Sequence, residues 1–345
     1  MRTLRGALAG CGYFGKIQLD GWQRVTGARI EALCDLDPAR LADCAAEFGA
    51  RPYDDLEKLL DTERPDFLDL VTRPATHLPL VRLAASRGLA VLCQKPMAET
   101  WSDCLEIAAV ARRSGLRLML NENWRWQPWY RRLRVLLDAG AIGRTIFYRF
   151  DARRRDGLGP APYPNQPYFK DMPRLVVFEF LVHYLDTARF LFGPIDEIYC
   201  RLDRVNPVIA GEDLAVMLVR HASGLAGVID GHRFSDPDPD GPAMSDARFE
   251  GLDGVLSLRA TGELFLGSER VFDPAGLPGY KGDSCRATQQ HFVDSLLAGV
   301  PFETGPDEYL QTVAAVEAAY LSASENRPVR LTEFLPPSAN TTKVL

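Results

Sequence analysis

The sequence predicts a doubly wound, parallel α/β sheet followed by an α+β domain with a large, mainly antiparallel and open-faced sheet. Up to residue 122, short apolar runs alternate with segments long enough for helices, which is the pattern of parallel strands joined by crossover helices. Beyond that point, many short segments alternate apolar and polar side chains, as antiparallel strands with one covered face do. The length of 345 residues also fits about two domains. We therefore expect domains at residues 1–122 and 123–345.

In the first domain, five apolar runs are the expected strands, and the longer periodic segments between them are the expected helices. The strands are Leu4–Ala9, Arg29–Cys34, Phe67–Val71, Leu89–Cys93 and Leu116–Leu120. The helices include Pro38–Phe48, His77–Arg87 and Thr100–Ser114. Because a helix connects each strand to the next, the strands run parallel and their carboxyl ends meet at one edge of the sheet.

In the second domain, the strands are expected to form one sheet whose other face stays available. They are Thr145–Arg153, Glu197–Arg204, Asp213–His221, Leu225–Phe234, Ala247–Gly251, Val255–Arg259 and Gly262–Leu266. The first of them alternates strictly, with Ile146, Tyr148 and Phe150 on one side. The expected helices are Arg174–Phe192, Cys285–Ala298 and Pro306–Asn326.

Composition and charge argue against several functional classes. The 40 basic and 46 acidic side chains give a net charge of −6, and the chain has no basic tract, which argues against a nucleic acid or an anionic membrane as partner. No run approaches the ~18 apolar residues of a membrane-spanning helix. The seven cysteines are scattered, which favours reduced thiols in the cytoplasm. Without a C-x-x-C pair or a Cys/His cluster, we expect no metal site.

The first strand leads directly into Gly10-Cys-Gly12-Tyr-Phe-Gly15 and then into a helix. A G-x-G-x-x-G turn in this position is the dinucleotide-binding fingerprint of a Rossmann domain. The glycines allow a tight turn, close approach to a pyrophosphate and close packing of helix on strand, and the helix N-terminus directs unpaired N–H groups at the phosphates. Because glycines also occur in ordinary turns, this prediction rests on the position of the motif between a strand and a helix. Tyr13 and Phe14, within the turn, belong to the predicted cofactor site.

Asp35 ends the second expected strand, 20 residues after Gly15. A carboxylate in this position accepts hydrogen bonds from the ribose hydroxyls of NAD and repels the 2′-phosphate of NADP. The next residues are Leu36, Asp37 and Pro38, so no arginine follows at once to receive that phosphate. The sequence therefore predicts NAD as the cofactor. Asp37 is better placed than Asp35 to cap the helix that begins at Pro38.

The tripeptide Gln94-Lys95-Pro96 follows the expected strand Leu89–Cys93 at the carboxyl edge of the sheet, where open α/β sheets bind ligands. A lysine in this position lies near the nicotinamide end of a bound dinucleotide. The alternative is a solvated surface lysine. The location of the tripeptide, and the proline that restricts the backbone beside Lys95, favour the functional interpretation.

The expected helix Arg174–Phe192 carries a polar stripe on an otherwise apolar surface. At about 100° per residue, Glu179, His183 and Asp186 fall within about 60° of one another. Polar groups on a buried helix need partners or a ligand. Two interpretations stay open: a catalytic imidazole oriented by a carboxylate, or an internal network in which Glu179 orients His183 and Asp186 pairs with Arg189.

Taken together, these motifs resemble the Gfo/Idh/MocA oxidoreductases over nearly the whole chain. The matching motifs are Gly10-x-Gly12-x-x-Gly15, Asp35, Thr72-Arg-Pro74-x-x-His77, Gln94-Lys95-Pro96, Asn123-Trp-Arg125-Trp-Gln-Pro128 and Glu179-x-x-x-His183-x-x-Asp186. The resemblance implies an N-terminal Rossmann domain that binds NAD. It also implies a C-terminal open sheet through which the chain forms a homo-oligomer, a dimer or a tetramer.

The resemblance further implies roles for individual residues. Lys95 and His183 share the proton of a substrate hydroxyl, with His183 as general base, while a hydride passes to the nicotinamide. Glu179 is the third catalytic candidate, and Asp186 binds a neighbouring substrate hydroxyl. The residues that line the cofactor beyond the glycine turn are Thr72, Pro74, His77, Gln94, Lys95 and Asn123.

Two departures from the family pattern bear on these roles. The family usually has Glu-Lys-Pro, so Gln94 removes a charge next to Lys95. The family commonly has Asp four residues before the histidine, and Glu179 is one methylene longer, so it either contacts substrate or only orients His183. Trp124 and Arg125, from the motif that begins at Asn123, complete the predicted substrate site. The aromatic face of Trp124 can stack on the C–H face of a sugar, although such side chains also pack in cores.

The expected function is that of an NAD-dependent dehydrogenase that oxidises a hydroxyl of a sugar or cyclic polyol. The preferred substrate is a free aldose such as D-apiose, whose lactol becomes a lactone. The alternatives are an inositol or other polyol dehydrogenase, and a regulator that senses NAD(H) without catalysis. The presence of both Lys95 and His183 favours the enzyme, because a sensor has no use for a proton-transferring pair.

Overall fold

The computed structural model describes residues 3–236 and 238–335. The density of internal contacts divides the chain into two compact units. The first comprises the chain up to Gln127 together with Leu277–Leu310, and the second comprises Pro128–Gly276 together with the chain from Gln311 onward. The first unit thus extends past residue 122 and includes a late segment that the sequence-based division places in the second domain.

A six-stranded parallel sheet, in the order β3-β2-β1-β4-β5-β6, organises the first unit. Its strands are β1 (Leu4–Ala9), β2 (Ala28–Cys34), β3 (Arg51–Tyr53), β4 (Phe67–Leu70), β5 (Ala90–Gln94) and β6 (Leu118–Asn121). The strand order reverses between β1 and β4, which is the switch point at which open α/β sheets bind their ligands. The doubly wound sheet that the sequence predicts is therefore confirmed.

The helices agree with the predicted ones to within a few residues, except that only the later part of the predicted helix Arg174–Phe192 is α-helical. They are α1 (Tyr13–Gln23), α2 (Pro38–Phe48), α3 (Leu56–Glu63), α4 (His77–Ser86), α5 (Trp101–Ser114), α6 (Pro128–Asp138), α7 (Val182–Phe192), α8 (Ser284–Ala298) and α9 (Pro306–Glu325), with 3₁₀ turns at Pro74–Thr76, Trp124–Trp126, Pro167–Asp171 and Leu331–Glu333 and a π-helical turn at Val176–Leu181. Sequence reasoning missed β3 and α3. β3 has only three residues, none of them fully buried, so it lacks the apolar run that marks a strand.

The second unit is built on a nine-stranded sheet in the order β14-β13-β12-β11-β7-β10-β9-β8-β15. The strands are β7 (Thr145–Arg153), β8 (Ile195–Asp203), β9 (Leu214–His221), β10 (Ala226–His232), β11 (Ser245–Gly251), β12 (Val255–Leu258), β13 (Leu264–Leu266), β14 (Glu269–Phe272) and β15 (Val329–Arg330). Neighbouring strands run antiparallel except β7 and β10, which are parallel. The mainly antiparallel sheet is confirmed, although sequence reasoning also missed the short strands β14 and β15.

The two faces of this sheet differ in character. On one face, β7 packs against α7: Tyr148 stacks on Phe192 with ring centroids 4.9 Å apart, and Phe150 lies 5.7 Å from Tyr184. On the other face, Val216 and Leu218 of β9 are 42% and 54% exposed. The sheet is therefore open-faced, as the alternation of its strands predicts.

Candidate active site

The glycine turn after β1 has the geometry of a dinucleotide cradle. Gly10 has φ +105°, and a Cβ there would lie 2.4 Å from the Val71 carbonyl oxygen. A Cβ on Gly15 would lie 2.1 Å from the carbonyl oxygen of Gly10, so helix and strand pack closely. A Cβ on Gly12, by contrast, would meet no described atom closer than the Arg40 guanidinium, 4.0 Å away. This open space at the N-terminus of α1 fits the close approach of a pyrophosphate, with Tyr13 exposed beside it.

The two acidic residues after β2 make different contacts, and Asp37 forms the predicted cap. Asp37 caps α2, accepting hydrogen bonds from the N–H groups of Ala39 and Arg40 at 3.0 and 3.2 Å. Asp35 instead faces the glycine turn: its Oδ2 accepts from the N–H of Cys11 at 2.7 Å, and its Oδ1 from the N–H of Asp37 at 2.8 Å. The Asp35 carboxylate is therefore held beside the cradle, where a ribose would lie.

In the segment after β4, His77 links the loop at Thr72 to the loop at Met97. The imidazole is fully buried, with Nδ1 3.1 Å from the carbonyl oxygen of Met97 and Nε2 3.1 Å from that of Thr72. Burial lowers the pKa of this imidazole, which favours its neutral form. Thr72 and Pro74 are half-buried, and Thr72 also accepts a hydrogen bond from Thr76 at 2.7 Å. Both nitrogens of His77 thus face the main chain of this same unit.

Lys95 follows the last residue of β5 and is half-buried. Its N–H donates to the Oε1 of Gln94 at 2.7 Å, and the Lys95–Pro96 peptide bond is cis. The Nε2 of Gln94, and both amide atoms of its register neighbour Asn121 on β6, are buried without a hydrogen-bond partner in the described part of the chain. Donors and acceptors are thus left available at the carboxyl ends of β5 and β6.

The segment after β6 is buried and tied to the late part of the first unit. Asn123 donates to the hydroxyl of Ser284 at 3.0 Å and to the thiol of Cys285 at 3.6 Å. Arg125, 3% exposed, lies 3.5 Å from the carbonyl oxygen of Glu303 and 3.7 Å from the carboxylate of Glu308. Trp124 is 2% exposed. Trp124 and Arg125 are thus both buried, and Arg125 contacts the late part of this unit.

The predicted α-helix Arg174–Phe192 is in fact two structures. Val176–Leu181 is a π-helical turn, and only from Val182 does the α-helix begin. The angular argument for Glu179, His183 and Asp186 assumes an α-helix throughout, so it does not hold across Glu179. Glu179 is half-buried in the π turn, while His183, in the first turn of α7, is 6% exposed. A π turn requires support from tertiary contacts, which periodicity in the sequence does not reveal.

Asp186 is fully buried within the second unit. Its Oδ1 accepts a hydrogen bond from the hydroxyl of Thr312 at 2.9 Å and lies 3.8 Å from the guanidinium of Arg189. Arg189 also donates to the Thr312 hydroxyl at 2.5 Å. The pairing of Asp186 with Arg189 is the internal network that the sequence leaves open as the alternative to substrate binding.

Sequence reasoning missed three residues near these positions. Arg40, beside Gly12 and Asp37, is separated from Asp35 by a few residues and faces the same turn. Glu212 and Tyr320 contact the π turn from distant parts of the second unit. Among the described residues, the structure contains no group of three potential metal-ligating side chains and no helix long and apolar enough to span a membrane.

The parallel sheet, the open glycine turn and the carboxylate of Asp35 define a protein that binds a dinucleotide. Residues 4–122 match the family described as oxidoreductase family, NAD-binding Rossmann fold, and residues 130–250 match the GFO/IDH/MocA C-terminal domain. The chain belongs to the Gfo/Idh/MocA family of NAD-binding oxidoreductases. The family match confirms the prediction of NAD as the cofactor, and a similar structure described below was solved with NAD⁺.

Similar proteins cover nearly the whole chain. It is 35% identical over 343 residues to a D-apiose dehydrogenase of Paraburkholderia graminis, a match that covers 96% of this chain and 90% of the relative. A D-apiose dehydrogenase of Rhizobium rhizogenes is 34% identical over 351 residues, 97% of this chain and 99% of that protein. The crystal structure of an oxidoreductase from Agrobacterium radiobacter, solved with NAD⁺, L-tartaric acid and magnesium, superposes with a TM-score of 0.86 at 32% identity, over 96% of this chain and 99% of that one.

Proposed function

We propose that this oxidoreductase oxidises a hydroxyl of a sugar or cyclic polyol, and that its substrate is a free aldose such as D-apiose, converted from lactol to lactone. The observation that carries this proposal is the similarity to two proteins named D-apiose dehydrogenase, which extends over nearly the whole chain rather than over the dinucleotide-binding half alone. NAD, when bound, supplies the hydride acceptor.

In this proposal Lys95 and His183 handle the proton of the substrate hydroxyl. His183 accepts the proton as general base, and Lys95 donates a hydrogen bond to the same oxygen and relays the proton. Glu179 completes the catalytic group, and the internal contacts of Asp186 hold α7 so that His183 keeps its place. The near-complete burial of His183 supports a role in which the imidazole is kept from bulk water.

The proposed cofactor site consists of the glycine turn, Asp35 and the residues that follow β4, β5 and β6. Gly12 and the N–H groups of α1 receive the pyrophosphate, and Asp35 receives a ribose. Because both nitrogens of His77 face carbonyl oxygens of its own unit, we assign it to holding the two loops rather than to direct contact with the cofactor. We further propose that the N-terminal domain binds NAD, and that the C-terminal domain binds substrate and forms the assembly.

The proposed location is the cytoplasm, and the proposed assembly is a homo-oligomer, a dimer or a tetramer. All seven cysteines are described, and each is a buried free thiol, which suits a reducing compartment. The exposed apolar side chains of β9 support an assembly through the open face of the second sheet.

The experiment that tests the activity follows NADH formation by its absorbance with a panel of aldoses, including D-apiose, and of inositols. We expect turnover with an aldose. Turnover with inositols instead would replace the aldose by a cyclic polyol. Tight NAD binding without turnover of any panel member would point to a sensor of NAD(H).

The same assay tests the two proton-handling residues. Because general acid–base catalysis contributes about 10²–10⁴-fold, Lys95→Ala and His183→Ala should each lower kcat by a factor in this range, and both variants should still bind NAD. Matched controls are Lys58→Ala on the exposed side of α3 and His232→Ala on β10, both expected to keep full activity. An unchanged kcat in Lys95→Ala or His183→Ala would remove that residue from its role.

A further inference from the structure

At the start of the π-helical turn Val176–Leu181, the first N–H groups have no hydrogen-bond acceptor within the turn itself. In a helix the N–H groups of the first turn have no intrahelical carbonyl to donate to, and a π turn leaves at least as many. The earliest intrahelical bond here runs from the N–H of Glu179 to the carbonyl oxygen of Leu175, at 2.8 Å. Partners from elsewhere must therefore receive the N–H groups of residues 175–178.

Glu212 supplies three of these partners. Its Oε1 accepts from the N–H groups of Leu175 and Val177 at 3.0 and 3.1 Å, and its carbonyl oxygen accepts from the N–H of Val176 at 3.3 Å. Glu212 is 8% exposed and lies between β8 and β9, far from the helix in sequence. One carboxylate thus takes the place that a local capping side chain occupies in other helices.

Tyr320 of α9 supplies the fourth partner. Its hydroxyl accepts from the N–H of Phe178 at 3.2 Å and donates to the same Oε1 of Glu212. The guanidinium of Arg174 lies 4.2 Å from the centre of the Tyr320 ring and donates to Glu317 at 2.7 Å, which holds the ring in place. The N–H groups of residues 175–178 therefore donate to two side chains and one main-chain carbonyl group, which come from two other parts of the unit.

The turn that carries Glu212 is itself fixed. The carboxylate of Asp213 accepts from the N–H groups of Val205 and Asn206 at 2.7 and 2.8 Å. A Cβ on Gly211 would lie 2.6 Å from the carbonyl oxygen of Met172, so only glycine lets this turn approach the segment before the π turn so closely. Glu212 therefore acts from a rigid support.

We propose that Glu212 and Tyr320 are positioning residues: they hold the π turn in register and thereby fix where Glu179 lies relative to His183. The proposal rests on the proposed function, in which these two side chains belong to the catalytic group. A turn that relaxed to an α-helix would rotate Glu179 around the helix axis with respect to His183. Misplacing a catalytic group by about 1 Å costs about 10²-fold in rate.

The test combines amide hydrogen exchange with kinetics on the full-length protein carrying Glu212→Ala, which removes the Oε1 that accepts the N–H groups of Leu175 and Val177. We expect the amides of residues 175–178 to exchange at least about 10-fold faster, and kcat to fall by about 10- to 100-fold. The KM for NAD should stay within about twofold, because Glu212 and the glycine turn belong to different units. The matched control is Glu269→Ala on β14, an exposed glutamate of the same unit, which should change none of these quantities.

The exchange rates of residues 175–178 and the value of kcat together test the proposal. Unchanged exchange at residues 175–178 would overturn it, and so would accelerated exchange with an unchanged kcat. If Glu212→Ala does not fold, Tyr320→Phe, which removes a single hydroxyl, is examined in the same way and should lower kcat about 3- to 10-fold. If no panel sugar is turned over, the proposed function fails, and the exchange data still show whether Glu212 holds the turn.

Discussion

Asp69 lies on β4 within the apolar core of the first unit and is fully buried. The indole N–H of Trp22 donates to its Oδ2 at 2.7 Å, and its Oδ1 has no hydrogen-bond partner among the described residues. Burial raises the pKa of this carboxyl to about 7. The side chain is thus a carboxyl group that the fold keeps protonated well above its ordinary pKa.

The pH dependence of stability should carry the signature of Asp69. Between about pH 4 and 7 the folded chain holds a proton that the unfolded chain has lost, so the free energy of unfolding falls as pH rises, by up to about 1.4 kcal/mol per unit. Above pH 7 this contribution is constant. Urea unfolding across pH 5–8 should show the slope in the wild type and in the exposed control Asp43→Asn, and a smaller slope in Asp69→Asn. Equal slopes in all three proteins would contradict the assignment.

The cofactor preference should depend on the charge of Asp35. Asp35→Ser removes the anion that repels a 2′-phosphate, and Arg40, beside Gly12, then supplies a cation to receive it. We expect kcat/KM with NADP to rise by at least about 10-fold relative to NAD. Asp43→Ser removes the same charge from the exposed face of α2 and serves as the control. A wild type that already prefers NADP would refute the role of Asp35.

Among the elements, the central pair β7 and β10 shows how a glycine makes room for an aromatic ring. Gly227 stands opposite Tyr148 in the register, and a Cβ on Gly227 would lie 2.2 Å from the ring. The Tyr148 hydroxyl lies 2.9 Å from Nε2 of His221, whose Nδ1 lies 2.9 Å from the carbonyl oxygen of Gly193. Burial raises the pKa of Tyr148 and lowers that of His221, so both stay neutral.

Gly227→Ala should therefore destabilise the second unit. The added methyl group must displace the Tyr148 ring and disturb its contact with His221, and overpacking of this kind costs about 1–3 kcal/mol. Denaturant unfolding measures the loss. In Gly254→Ala the new methyl group would meet its nearest neighbour at 3.5 Å, an ordinary contact, so this control should change stability by less than about 0.5 kcal/mol. Equal stability of the two variants would show that the ring moves without cost.

At the scale of the whole molecule, the open face of the second sheet is the proposed interface of the homo-oligomer. Leu218 is 54% exposed and Val216 42% exposed, and a row of ion pairs lies near them, with Arg149 donating to Asp230 at 2.8 Å. Exposed apolar side chains flanked by charged ones are typical of an interface between subunits.

A charge at the centre of this face should dissociate the homo-oligomer. We expect Leu218→Glu to lower the mass measured by light scattering after size-exclusion chromatography from that of a dimer or tetramer to that of a smaller species. Leu252→Glu, at an apolar position 61% exposed elsewhere in the same unit, is the control and should keep the wild-type mass. A monomeric wild type, or an unchanged mass in Leu218→Glu, would contradict assembly through this face.

The amino-acid sequence by itself determined most of the helices and strands and their order, the glycine turn, the choice of NAD and the cap at Asp37. These depend on φ angles, periodicity and short-range hydrogen bonds, all of which are local properties of the chain. Only the tertiary structure decided that Val176–Leu181 is a π turn, that both nitrogens of His77 meet carbonyl groups, and that Leu277–Leu310 belongs to the first unit. Each of these depends on donors, acceptors and packing surfaces that lie far away in sequence, such as Glu212 and Tyr320 beneath the π turn, and no local pattern records them.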